Sequence, residues 1–123
     1  MQADFTIDVD VARSLVRLTL KGFFLPADVQ RFQAARNAEH AKLRCRPNAH
    51  VTLTDLRELQ IQSQDSVGEF AALLADPTHK SAKLALIFGT SLARLQLVRA
   101  ASTREVHFFK SVEDAEAWLF GPD

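Results

Sequence analysis

The sequence predicts an α/β fold: a mostly parallel mixed sheet with an N-terminal antiparallel hairpin and about four helices, in the order β-β-α-β-α-β-α-β-α. Three observations carry that expectation. The segments around Phe5–Val11 and Leu15–Leu20 alternate apolar with polar residues, the period of strands with one buried face. Short apolar runs then recur at Val51–Thr54, Leu84–Phe88 and Val106–Phe109. Stretches of helical spacing separate them, and such alternation builds parallel sheets through crossover helices.

Taken in order, Phe5, Ile7, Val9 and Val11 interleave with Asp4, Thr6, Asp8 and Asp10. A turn near Ala12 and Arg13 leads into Val16, Leu18 and Leu20, which completes a hairpin. Pro26 suits the first position of a helix, where its missing N–H costs nothing, and Asp28 can face the positive helix start. Val29, Phe32 and Leu43 extend that helix to about Leu43. Pro47 and Asn48 belong to the connection before the third strand, which is short and β-branched. After a polar loop from Arg57 to Gln64, Val67, Phe70, Ala71 and Leu74 form one apolar stripe. Asp65 or Ser66 can cap this helix, and Asp76 with Pro77 stops it. The run LALIF reads as a central strand covered on both faces. Thr90 and Ser91 offer caps for a helix carrying Leu92, Leu95 and Val98. Ser111 with Asp114 forms a variant capping box for a closing helix whose apolar face is Val112, Ala115, Trp118 and Leu119, ended by Gly121 and Pro122.

At 123 residues and 47% hydrophobic content, the chain fits a single domain over 1–123 with one sizeable core. Lys plus Arg and Asp plus Glu both number 15, so the footprint of a nucleic-acid binder is missing and no nucleic acid is expected as a partner. The single cysteine, Cys45, excludes an internal disulfide and suits a reducing compartment. The acidic, alternating amino terminus is unlike a signal peptide, and no stretch approaches a membrane span, so no stable membrane insertion is expected. These features together point to the cytoplasm.

Three stretches carry a likeness: TLTDLREL at the third strand, LIFGTSLARLQLVRAAS across the fourth strand and its helix, and VHFFKSVEDAEAWLF at the end. With the element order, they make the chain resemble the STAS domain of sulfate transporters and anti-sigma-factor antagonists. The likeness is greatest to the small single-domain bacterial branch, whose fold is also compared with CRAL-TRIO lipid-transfer domains. In the anti-sigma-factor antagonists a serine in an Asp-Ser-Ser-Gly motif, at the start of the second helix, is phosphorylated to switch partner binding. The matching residues here are Asp65-Ser66-Val67-Gly68, with Val67 at the phosphoacceptor position. Ser66 becomes the candidate phosphoacceptor if the helix begins one residue differently.

Asp55, Arg57, Ser66, Thr90, Ser91 and Lys110 fall at or just beyond the expected carboxyl ends of strands or the start of a helix, where ligands gather in open α/β sheets. They are the expected binding rim. Ser66 also suits a plain helix cap, and Asp55 suits bonding to local loop amides. Arg94, Arg99 and Arg104 could hold an anion, although the spacing of the first two points them to different helix faces and favours a solvated surface. His40, His50, His79 and His107 lack the short spacings of a helical zinc motif, so no metal is expected. Cys45 lies between Arg44 and Arg46 without an evident histidine partner. Of Phe23 and Phe24, adjacent in sequence, one could reach an interface.

These residues support a non-enzymatic regulatory or protein-interaction domain, with a protein partner or a second copy of the chain bound at the rim and no cofactor. The alternative is a carrier for a small apolar or lipid-like ligand. An enzyme built on Asp55 and His107 is a weaker third reading, because nothing in the sequence orients that pair.

Overall fold

The computed structural model describes residues 2–89, 96, 98, 99 and 104–122. The alternating segments form the expected hairpin: β1, Asp4–Asp10, runs antiparallel to β2, Leu15–Lys21. Val11 lies in the turn rather than on the strand's apolar face and is exposed, while Ser14 closes that turn at a φ of 50°. Parallel pairing then joins β2 to β3, Val51–Leu56; β3 to β4, Lys83–Phe88; and β4 to β5, His107–Phe109. The resulting order is β1-β2-β3-β4-β5. The fold is therefore the mixed, mostly parallel sheet that the element order implied.

Three helices are described: α1, Pro26–His40; α2, Gln64–Ala75; and α3, Val112–Phe120. The helix expected from Thr90 onward falls mostly outside the described residues, as do Thr90, Ser91, Leu92, Arg94 and Leu95. Gln96, Val98 and Arg99 are helical, and Val98 is exposed rather than part of a buried stripe.

Side-chain alternation divides the core between the two faces of the sheet. On one face Val16, Leu18, Leu20, Leu84 and Leu86 pack with Val29 and Phe32 of α1 and Leu73 of α2. On the other, Leu15, Leu53, Ala85 and Ile87 meet Ala115 and Leu119 of α3. Both faces of β4 are thus buried, which is why its sequence is apolar without interruption. Glu116 of α3 also accepts an ion-pair hydrogen bond from Arg17 of β2, tying the outer helix across the sheet.

The helix ends differ from expectation in two places. For α2 the cap is Ser63, whose Oγ accepts from the Ser66 amide at 3.2 Å; Asp65 and Ser66 lie inside the first turn instead. Helix α1 stops at His40 rather than Leu43, because Lys42 N–H and Leu43 N–H bond carbonyls three residues back and tighten the chain into turns. The Asp28 carboxylate accepts from Leu25 N–H at 2.9 Å, and Ser111 Oγ accepts from Asp114 N–H at 3.2 Å, as their positions implied.

Candidate functional site

The carboxyl end of the parallel strands is where the rim was expected. Asp55, near the end of β3, shares the face of Leu53 and therefore looks toward the α3 side of the sheet. Its carboxylate is clamped by Arg57, with Nη2 at 2.7 Å and Nε at 3.0 Å, and also accepts the Arg57 amide at 3.1 Å. Those hydrogen bonds hold Asp55 below the ordinary carboxylate range. Gly89 follows β4 beside this pair, and a Cβ there would stand 2.5 Å from the Arg57 carbonyl oxygen, so only glycine permits the approach.

Ser66 lies under the opposite face. It is 0% exposed, and its hydroxyl donates to the Phe24 carbonyl at 2.5 Å. Around it the β2–α1 and β3–α2 loops are sewn together. Gly22, at a φ of 84°, donates to Glu58 O and accepts from Gln60 N, both at 3.0 Å. The buried Gln62 side chain accepts from Phe24 N at 2.7 Å and donates to Gly22 O at 3.1 Å. Its backbone in turn exchanges two bonds of 2.8 Å with the Gln96 amide. The expected rim is thus split by the sheet: Asp55 and Arg57 stand together, Ser66 is walled off behind them, and Lys110 is exposed beyond β5. Thr90 and Ser91 belong to the residues outside the description.

His107 does not join Asp55 either. It stacks on Trp118 with ring centroids 4.1 Å apart and places Nε2 2.9 Å from Glu105 Oε1.

The amino end of the strands holds what the sequence reading missed. His40 ends α1, His50 precedes β3 and His79 precedes β4, and the parallel topology gathers them: His40 lies 4.7 Å from His50 and 5.6 Å from His79, centroid to centroid. Arg36, one turn before His40, is only 7% exposed. Asp76 accepts from the Thr78 amide at 3.0 Å, pairs with His79 Nδ1 at 2.9 Å and stands 3.9 Å from the Arg36 guanidinium. Asn48, at a φ of 65°, fastens this end by donating to the carbonyls of Pro77 at 3.0 Å and Lys80 at 2.7 Å. Cys45 lines a surface groove with the same three histidines. Among the described residues, no three His, Cys, Asp or Glu side chains have the geometry to hold a metal ion.

Burial, and after it the neighbouring charges of His50, Arg36 and His79, lowers the pKa of His40 to about 4. Burial lowers that of His50 as well. The Nε2 atoms of both rings are buried without a hydrogen-bond partner among the described residues. Arg104, read from sequence as a surface residue, is half-buried here and reaches the Ser81 carbonyl at 3.4 Å.

From this polar end a cavity runs between the sheet and helices α1 and α2. Leu20, Phe32, Leu56, Phe70 and Leu86 are among its apolar walls, and Arg36, His40, His79, Ser81 and Arg104 stand at its polar end. The sequence held one signal for it: Val29, Phe32 and Arg36 fall on one stripe of α1, so an arginine occupies a core-facing position.

No family model and no curated protein matches the chain. Among solved structures, it is similar to a DUF3478-family protein with a SpoIIAA-like fold from Shewanella loihica PV-4, at a TM-score of 0.72 and 18% identity, over 97% of this chain and 96% of that one. It is also similar to an anti-sigma factor antagonist from Mycobacterium paratuberculosis, at a TM-score of 0.59 and 12% identity, over 96% of each chain. At these identities the likeness is one of fold. The chain has the SpoIIAA-like, STAS-type fold that its sequence resembled.

Proposed function

We propose that this chain is a non-enzymatic, single-domain regulatory module that binds a protein partner, or a second copy of itself, at the carboxyl end of its sheet. One observation carries the reading. Phe23, Leu25 and Ile61 are 36%, 57% and 49% exposed, and they sit on the two loops that the Gly22 and Gln62 hydrogen bonds hold side by side. Large apolar side chains presented on a rigid support suit a protein interface, because little freedom is lost on binding. The Asp55–Arg57 pair lies near the same end and supplies a polar margin.

The fold shared with an anti-sigma factor antagonist supports a regulatory role. The engagement of Asp55 with Arg57, and of His107 with Trp118 and Glu105, supports a role without acid–base catalysis. In this reading Ser66 is a structural hydroxyl that joins α2 to the β2–α1 loop, rather than a phosphoacceptor. A cytoplasmic setting suits the single cysteine. Among the described residues, no helix is long and apolar enough to cross a membrane.

The test is site-specific photocrosslinking in the native host, with the crosslinker at Ile61 and, as a control, at the exposed Ala72 of α2. An adduct formed from position 61 and not from 72, and abolished by Leu25→Asp, is the expected result. Equal labelling from both positions, or none from 61, overturns the interface. A second reading, a carrier for a small apolar ligand, is favoured by the cavity between the sheet and helices α1 and α2.

A further inference from the structure

We infer that this cavity accepts a single-chain amphiphile with an anionic head, the head seated between Arg36 and Arg104 and the chain lying along Leu20, Phe32, Leu56 and Leu86. The inference rests on the carrier reading and adds the charge and orientation of the ligand. It follows from the arrangement of unspent hydrogen-bond donors.

Arg36 is nearly fully buried, yet its Nε and Nη2 bond only the side-chain oxygen of the adjacent Asn37, at 3.2 and 3.0 Å, among the described residues. A guanidinium carries five N–H donors in a fork that matches carboxylate or phosphate oxygens. Asp76, the nearby acid, does not fill that role. It lies 3.9 Å away, and its two oxygens are already engaged by His79 and the Thr78 amide. Arg104 makes one long bond of 3.4 Å to Ser81 O and another of 3.1 Å to Glu105 O. His40, at the same end, leaves Nε2 buried and unbonded among the described residues.

Arg36 and Arg104 both line this end, while the acids beside them are engaged elsewhere, Asp76 by His79 and Glu105 by His107, which leaves an excess of positive charge and of donors at the cavity's end. Buried donors of this kind are costly unless an acceptor meets them. An anion would do so, whereas a neutral alkane would leave them as they are. The walls beyond are leucine and phenylalanine side chains, which favour a hydrocarbon chain by removing it from water. A carboxylate and a phosphate ester offer the same head chemistry to a guanidinium fork.

Isothermal titration calorimetry of the full chain with decanoate, decyl phosphate and decanol separates the alternatives. The expected result is that at least one anion binds ten-fold or more tightly than decanol, and that Arg36→Met brings the anion down to the level of decanol while decanol binding is unchanged. Which anion binds more tightly identifies the head. Should Arg36→Met fail to fold, Arg104→Gln takes its place with the same expected direction. Equal binding of all three probes overturns the anionic head and leaves the carrier reading standing. Binding of none overturns both.

Discussion

The two ends of the parallel strands are built on opposite principles. At the carboxyl end, polar groups are spent on one another: Arg57 on Asp55, Gln62 on Gly22 and Phe24, Ser66 on Phe24. At the amino end, Arg36 and His50 are buried and His40 is half-buried, without a full complement of partners among the described residues. A satisfied network rigidifies, while an unsatisfied one costs stability until water or a ligand supplies the missing partners. The contrast separates a hydrogen-bonded scaffold from a cavity end whose polar groups are only partly matched.

The largest expected effect tests the rigid end. Ser66→Asp would put a carboxylate against the Phe24 carbonyl in a site closed to water, and should cost about 3 kcal/mol by urea denaturation, as buried uncompensated charges do. An unchanged midpoint would mean that the loops part easily, and the contrast between the ends would fall.

The next effect belongs to the cavity end. Because the pKa of His40 drops from 6.5 to about 4 on folding, the unfolded chain takes up a proton across that interval which the folded chain refuses. Stability is therefore unaffected above pH 6.5 and falls as the pH drops toward 4, by about 2 kcal/mol after allowance for the partial exposure of the ring. His50, lowered in the same direction, adds to the loss. Asp55 and Asp76, held below 3.8 by their hydrogen bonds, lose their contribution only at lower pH, so the windows are distinct. His40→Leu should flatten the curve of denaturation midpoint against pH between 6.5 and 4; an unaltered curve would show that His40 is not the titrating group.

The smallest effect sharpens the picture of the rigid end. Gly68 has open space where a Cβ would stand, so Gly68→Ala should raise stability by about 0.5–1 kcal/mol through helix propensity alone. A loss on thermal unfolding would show that the start of α2 needs a bare backbone after all.

The strands and described helices were legible because their periodicity records burial directly. Phe5, Ile7 and Val9 repeat at two, LALIF is continuous because both its faces are covered, and Ser111 marks its helix start by chemistry alone. The cap of α2 was misread because Ser63, Asp65 and Ser66 all have capping side chains, and only the position of Phe24 decides which hydroxyl turns inward. The histidine cluster was illegible for a different reason. His40, His50 and His79 are far apart in sequence and share no spacing, and they converge because parallel strands begin at the same edge. Arg36 was the visible clue, a charge on the stripe of Val29 and Phe32.

Strand order along the sheet equals strand order along the chain. Each strand leaving the ribosome therefore finds its neighbour already formed, and the sheet can lengthen at one growing edge without any strand having to be inserted between two others. Among the described residues, the face carrying Leu15, Leu53, Ala85 and Ile87 is covered by Val112–Phe120, the last of the described helices to be made. Of the described elements, the cover for that apolar face is therefore made after all five strands.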